Sequence, residues 1–362
     1  MAEVKALEIT ERPAVADGNW RAAALALPAV RFVQGWIYWG GGSRRFIYGP
    51  QKLDPHGHWM AYKFQTALPG AILGSGRLIA FLLHHFVLLY AAVILFSAVE
   101  LVAGAMLIAG LLTRAAAVAT IGLSVVLMLM FGWQGATCID EWTMAASNLG
   151  MGVTLALAGG GAYALDNVLL RQRPGLARSV WFRWLGGSLP LPLAERTFRN
   201  LALALLAFTV AFVVATYSYY RGSVISAFHS GPVSPSRHHI SLGRGKLSSD
   251  GTVSFHAYID AGTAAAPANI IAAELTRNGM VIERWDGKAL AALPKSAFHN
   301  DFPYQQFKAG FAGIAAGVGA MAQITLPPAG NALHLSGQGY RLTVITVNGH
   351  RFTLALGRVE KP

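Results

Sequence analysis

The chain has 362 residues, 54% of them hydrophobic and only 13% charged, with a mean hydropathy of +0.44, which excludes an ordinary soluble enzyme and points to an integral membrane protein. A net charge of +12 is of the kind that suits nucleic acid, but the basic residues are divided between separate loops, which argues against a nucleic-acid surface. One cysteine in the whole chain excludes an intramolecular disulfide and a cysteine-held iron–sulfur cluster.

Residues 1–20 carry Glu3, Glu8, Glu11 and Asp17 and no apolar core, so they do not read as a cleavable secretory signal and are predicted to form a cytoplasmic tail. Ala22 to Trp39 is the first apolar run, interrupted by Pro28, Arg31 and Gln34. Phe81 to Leu112 and Ala115 to Trp133 are each long enough, at about 1.5 Å per residue, to cross roughly 30 Å of hydrocarbon. Trp142 to Ala164 and Leu201 to Tyr220 meet the same criterion. The expectation is therefore an α-helical membrane bundle of four spans over residues 21–170, a linker at 171–199 and a fifth span at 200–220.

Orientation follows from the arginines. Arg171, Arg173, Arg178, Arg183, Arg196 and Arg199 stand against Glu195 alone in the linker, which fixes it on the cytoplasmic side. Alternation then puts Thr113-Arg114 inside, and residues 40–80, the turn around Cys138 and everything after Tyr220 outside. Arg44, Arg45, Lys52, Lys63 and Arg77 thus fall on the face where positive charge is disfavoured, balanced by Asp54 alone.

Beyond a linker at 222–240, rich in Gly, Ser, Pro and His, the material changes. Turn signals at Ser249-Asp250-Gly251, Asn278-Gly279, Asp286-Gly287 and Asn348-Gly349 separate β-rich runs such as Thr252 to Ile259, Ile270 to Leu275 and Leu342 to Val347. Residues 221–362 are predicted to form an extracytoplasmic all-β sandwich.

The stretches Glu100-Leu-Val-Ala-Gly104, Leu107-Ile-Ala-Gly110-Leu-Leu-Thr113-Arg114 and Gly159-Gly-Gly161-Ala-Tyr163-Ala-Leu165-Asp166 resemble the DoxX-like family of four-span membrane proteins, a pattern that Arg31 and Gly35 also fit. Gly35 to Phe46, with Gly40-Gly-Gly-Ser-Arg44-Arg45, and Thr137-Cys138-Ile-Asp140-Glu141-Trp142 look like DoxD, the large subunit of thiosulfate:quinone oxidoreductase. Residues from about Phe198 onward, including Asn300-Asp301-Phe302-Pro303-Tyr304 and Ile324-Thr-Leu-Pro327, are similar to the small subunit, DoxA. The resemblance implies a fusion of both subunits in the plasma (inner) membrane, oxidising thiosulfate to tetrathionate on the extracytoplasmic (periplasmic) side and passing electrons to the membrane quinone pool.

The residues supply candidates for that chemistry. Thiosulfate is a dianion, and Arg44, Arg45 and Lys52 beside Gly40, Gly41 and Gly42 offer cations and convergent backbone N–H groups; the plainer reading is lipid anchoring at a helix end. Cys138 could form a mixed thiosulfonate with one thiosulfate and release tetrathionate to a second. Asp140 and Glu141 beside it should raise its thiol pKa, and a small residue in a tight turn is the plainer reading. Glu100 lies within a span, where an ionisable group marks a cavity or the bundle interior. It could relay protons to quinone with His84 and His85, about four turns away on the same helix, or pair with Arg31 or Arg114 as scaffold. His56 and His58 have no third metal ligand near in sequence, and His238-His239 reads as linker polarity. With no motif for haem, flavin or nucleotide, quinone is the only cofactor expected. Lipid is the surrounding medium, and association with a terminal oxidase or with further copies stays open. A non-catalytic membrane scaffold and a sulfur-anion transporter gated by Glu100 are the alternatives.

Overall fold

The computed structural model describes residues 14–54, 56, 58–134, 141–222, 233–234, 237–330 and 335–357. A helical region comes first: α1 (Ala14–Ser43), α2 (Trp59–Ala67), α3 (Ser75–His84), α4 (Phe86–Ala109), α5 (Thr113–Phe131), α6 (Glu141–Ala158), α7 (Leu165–Gln172), α8 (Val180–Leu185) and α9 (Glu195–Arg221). Among the described residues α4, α5 and α9 are long and apolar enough to cross a membrane. The first and fourth expected spans are helical too, as α1 and α6, but Arg31 and Gln34 in one and Glu141 and Asn148 in the other dilute their apolar character.

Two expectations need correction. The run from Phe81 to Leu112 is not one helix: His85, at φ −121° and ψ 72°, separates α3 from α4, and its Nδ1 lies 2.8 Å from the Phe81 carbonyl oxygen. Hydropathy cannot register such a break, because apolar residues continue on both sides of it. Residues 40–80 are likewise not a plain loop; α1 runs to Ser43, a π-helical turn follows at Arg44–Tyr48, and α2 and α3 fill most of the rest.

The chain divides into two compact units, one of residues 1–49, 95–124 and 147–210, the other of residues 50–94, 125–146 and 211–362. In the first, glycines let α1 and α4 meet backbone to backbone. A Cβ on Gly104 would stand 2.3 Å from the Trp39 nitrogen, and one on Gly42 2.6 Å from the Leu101 nitrogen. Small side chains at a helix crossing allow this approach where apolar burial against lipid gives little drive. Ala103, Leu107, Ala116, Ala117 and Leu155 pack beside the crossing. Gly110, at φ +70°, turns the chain after α4. The buried Asp166 carboxylate then accepts from the Leu112 N–H at 2.7 Å, the Thr113 N–H and hydroxyl at 3.1 Å each and the Gly187 N–H at 2.8 Å. It thereby satisfies the orphan donors at the start of α5.

In the second unit, Ala61, Ala67, Ile79, Leu83, Met130, Phe131, Phe302 and Tyr304 share one apolar cluster. The fully buried Trp133 donates its indole N–H to the Ala67 carbonyl at 2.9 Å, and a Cβ on Gly70 would lie 2.1 Å from the Trp133 ring. The last turns of α9 are fixed here: Trp142 donates to Thr216 at 3.0 Å and the Tyr220 hydroxyl to Gly70 at 3.2 Å. Gly222, at φ +69°, ends the helix.

The β region contains β1 (His239–Leu247), β2 (Val253–Ala261), β3 (Ala268–Arg277), β4 (Met280–Trp285), β5 (Phe298–Asn300), β6 (Lys308–Gly310), β7 (Gly313–Ala316), β8 (Met321–Leu326), β9 (Tyr340–Thr346) and β10 (Arg351–Ala355), with a short helix α10 (Gly287–Ala291). They form two antiparallel sheets: one in the order β1-β2-β8-β5, the other β10-β9-β3-β7-β6 with β4 also paired to β3. Val253, Phe255, Ala257 and Ile259 alternate inward along β2, as a strand with one buried face requires. The turns at Ser249–Gly251, Asn278-Gly279 and Asn348-Gly349 join strand pairs as expected. Asp286-Gly287 does not; Asp286 caps α10 through the Ala289 N–H at 2.8 Å. His239 is also no linker residue, since it opens β1 and its Nδ1 lies 2.6 Å from Asp260.

Candidate functional site

In the first unit a polar stripe runs along α1 and the π-helical turn beyond it. Arg31, Gln34, Tyr38 and Arg45 are spaced by three, four and seven residues, which brings them to one helical face. Gln34 donates to the Thr120 hydroxyl at 3.1 Å and to the Asn148 carbonyl at 2.8 Å. The Tyr38 hydroxyl bonds the Thr120 carbonyl at 3.1 Å and Ser124 at 2.9 Å. At the end of the stripe Arg45 forms an ion pair with Glu100 and donates to Ser97 at 3.3 Å. The Glu100 side chain is 7% exposed, and Gly41 leaves room for it, since a Cβ there would lie 3.4 Å from its Oε2. An unpaired carboxylate within an apolar bundle would cost several kcal/mol, so the guanidinium is what allows Glu100 to sit there charged.

Neither partner anticipated for Glu100 reaches it. Arg31 donates to the Gly160 carbonyl at 2.6 Å and the Tyr163 carbonyl at 3.3 Å. Arg114 donates to the carbonyls of Ala156, Arg183, Gly186 and Leu189. Both act as clamps on backbone carbonyls at helix ends. His84 and His85 are exposed, and the helix of Glu100 begins only at Phe86, so the three do not share a helix as the relay required. His84 lies against the Phe302 ring at 4.7 Å.

In the second unit, Lys63 on α2 pairs with Glu141, the first residue of α6. Gln65, fully buried, donates to the Gln305 and Gly319 carbonyls at 2.9 Å each and accepts from the Gln305 N–H at 2.8 Å, tying α2 to the β region. Nearby, a shallow crevice runs between Lys52, Leu53, Asp54 and His58–Ala61 on one side and the first two turns of α4 on the other. Phe86, Leu89, Tyr90 and Val93 form its apolar wall; Lys52, Asp54, His58 and Trp59 face them. The Lys52 ammonium stands 4.9 Å from the Trp59 ring centre, and Asp54 accepts from the His56 N–H at 2.9 Å. His58 adopts φ +51°, a left-handed conformation uncommon outside glycine, and its ring meets Phe86 at 5.0 Å and Tyr304 at 5.5 Å. Burial pushes the Tyr304 phenol pKa up.

Cys138 and Asp140 lie outside the described residues. Of the expected cations, Arg44 is exposed, Arg45 is paired with Glu100, and Lys52 lines the crevice. Among the described residues no cluster of three metal-ligating side chains forms, and His56 and His58 have no third partner. Tyr38, Gln34 and the crevice residues Trp59 and Tyr90 were missed from sequence. The polar stripe could have been found from the spacing of Arg31, Gln34, Tyr38 and Arg45. The crevice could not, because it joins residues some thirty positions apart.

Comparison with known families assigns both halves of the chain. Residues 27–192 match DoxD, described as TQO small subunit DoxD, and residues 220–354 match DoxA, described as TQO small subunit DoxA, where TQO is thiosulfate:quinone oxidoreductase. The description makes DoxD a small subunit, so the large-subunit label given to that half does not stand. A solved structure, "Structure of Iho670 Flagellar-like Filament", is similar at 9% identity over 45% of this chain and 98% of that chain, with a TM-score of 0.20, too slight for a shared fold.

Proposed function

Because the chain belongs to the thiosulfate:quinone oxidoreductase subunit families, joining a DoxD and a DoxA segment in one polypeptide, we propose that it is a membrane enzyme that oxidises thiosulfate to tetrathionate outside the membrane and reduces membrane quinone. The balanced reaction is two thiosulfates plus one quinone plus two protons giving one tetrathionate and one quinol. The observation that carries this reading is the presence of both subunit families in one chain, in the order bundle then β region.

In this reading the chain crosses the membrane five times, with its N-terminal tail and residues 171–199 in the cytoplasm and the two sheets packed as an outer sandwich. Arg44 raises the local potential for a dianion. It is exposed and makes the direct contact, while Arg45 holds Glu100. The Cys138 thiol and one thiosulfate would be oxidised together to a mixed thiosulfonate, with two electrons going to quinone and the thiol proton to Asp140; the second thiosulfate would then attack the outer sulfur, break its bond to Cys138 and leave as tetrathionate with the thiolate regenerated. The Lys63 ammonium offsets the Glu141 charge, which would otherwise hold the thiol protonated. Quinone, when bound, supplies the two-electron acceptor.

The test is thiosulfate-dependent reduction of a short-chain quinone by the purified full-length protein in lipid nanodiscs, with tetrathionate assayed alongside. Quinol and tetrathionate formed in equal amounts are expected. Thiosulfate uptake into vesicles without quinol would instead identify a transporter, and neither activity a scaffold. Cys138→Ser should abolish turnover; retained turnover would remove the covalent step alone.

A further inference from the structure

We propose that residues 165–185 form a membrane-surface ledge that binds anionic phospholipid. Trp181 and Trp184 sit at the boundary of headgroups and acyl chains, and Arg171, Arg173, Arg178 and Arg183 hold the lipid phosphates. This goes beyond the oxidoreductase reading and does not depend on it.

The ledge is fixed at the height where two apolar helices turn. α4 and α5, both long and apolar enough to cross a membrane, are joined by residues 110–112. Arg114, in the first turn of α5, donates to the carbonyls of Gly186 at 2.7 Å and Leu189 at 2.8 Å. Asp166, in the first turn of α7, accepts from the Leu112 N–H at 2.7 Å and the Gly187 N–H at 2.8 Å. The start of α7 and the end of α8 are thereby pinned to the ends of α4 and α5, which for spanning helices lie at the bilayer surface. Between them the 3₁₀ turn Pro174–Arg178 packs against both α7 and α8.

What the ledge exposes matches that height. Within α8 Phe182 is buried, while Val180, Trp181, Trp184 and Leu185 are exposed and pair at i and i+4 into one apolar face. Tryptophan favours the membrane interface, where its ring meets acyl chains and its N–H meets headgroups. Residues 167–194 contain four arginines and no Asp or Glu, and all four are exposed. Among the described residues none of the four forms an ion pair. The flanking acids do not neutralise them: Asp166 is buried and taken up by backbone N–H groups, and Glu195 opens α9. A guanidinium fork matches a phosphate, and several together favour a leaflet of net negative charge over a zwitterionic one. Nucleic acid or free phosphate would engage the arginines and leave the apolar face of α8 in water. The hydrocarbon interior would cover that face and reject the arginines. The headgroup region of an anionic leaflet accommodates both.

The experiment places full-length protein in phosphatidylcholine nanodiscs carrying a trace of photoreactive phosphatidylglycerol or photoreactive phosphatidylcholine with the same acyl chains, followed by peptide mapping. Phosphatidylglycerol is expected to label residues 165–185 in clear excess over phosphatidylcholine. The excess should shrink in high salt and persist in millimolar inorganic phosphate, which separates a lipid surface from a free-anion site. Arg173→Gln and Arg178→Gln should each lower phosphatidylglycerol labelling about fivefold and leave phosphatidylcholine labelling unchanged. Trp181→Ser combined with Trp184→Ser should lower labelling by both lipids. These side chains are exposed, so melting temperatures should stay unchanged and exclude misfolding as the cause. Equal labelling by the two lipids, an excess confined to other segments, or a preference that survives replacement of all four arginines by glutamine overturns the proposal. Loss of the excess to inorganic phosphate or to added tRNA would assign the arginines to a free anion or to nucleic acid and overturn it equally.

Discussion

The Arg45 guanidinium closes on the Glu100 carboxylate, joining the π-helical turn after α1 to the middle of α4. The pair is coupled because each charge is buried on the other's account. Glu100→Gln or Arg45→Gln alone should lower stability by about 3 kcal/mol, since either leaves a buried group without its partner. The double variant should lose clearly less than the sum. Denaturation of the three variants in the same detergent gives the coupling, and strictly additive losses would mean that the contact contributes no net energy.

The crossing of α1 and α4 makes a second prediction, with an internal control. A methyl group at Gly104 would meet the Trp39 backbone nitrogen at 2.3 Å, whereas one at Gly40 would have nothing within 4 Å. Gly104→Ala should therefore destabilise the bundle by about 1–3 kcal/mol as the helices are pushed apart. Gly40→Ala should be neutral or slightly stabilising in the α1 helix. Thermal unfolding of the two variants side by side distinguishes them; equal behaviour would show that the helices adjust freely.

How far the sequence can be read is visible in these same residues. Gly35 and Gly104 belong to the stretches that carried the family resemblance, and the close helix crossing is their physical reason. The strand pairs and the Asn348-Gly349 hairpin were legible because period-two alternation and turn chemistry are local. The break at His85 was not, because a side chain bonded to a carbonyl four residues back leaves hydropathy unchanged. The partner of Glu100 was not legible either. The two arginines offered as partners, Arg31 and Arg114, bond backbone carbonyls instead, and only the packing of α1 against α4 brings Arg45 to Glu100.

Lys63 and Glu141 carry a prediction about the sole thiol. Both side chains are about one third exposed, so the pair should contribute less than about 1 kcal/mol to stability. Cys138 stands three residues before Glu141 in the sequence, so the charges of the pair are expected to act on its thiol more than on stability. Lys63→Gln leaves the Glu141 charge uncompensated, which should raise the thiol pKa and reduce the thiolate fraction at pH 8. Alkylation by iodoacetamide should slow roughly twofold to threefold. Lys63→Gln combined with Glu141→Gln should restore the original rate, and a rate insensitive to either change would separate Cys138 from this pair.

Glu283 on β4 gives the β region an unusual pH dependence. Burial pushes its carboxyl above the ordinary value of 4.5; the Ala329 N–H donates to Oε1 and pulls the other way without prevailing. The Gly330 N–H acts on the carboxyl in the same direction as Ala329. A folded-state pKa above the unfolded one means that the folded form holds the proton more tightly. The stabilisation from that proton is complete below about pH 4.5 and is lost as pH rises through the folded-state value, the reverse of an ordinary salt-bridged carboxylate. Glu283→Gln carries no titrating group, so the wild-type protein should lose stability relative to the variant over that window. Hydrogen exchange in peptides from β4 and from residues 327–330, followed between pH 4.5 and 7.5 and corrected for intrinsic rates, reads the effect locally. Parallel pH profiles for the two proteins would show that Glu283 titrates alike in the folded and unfolded chain.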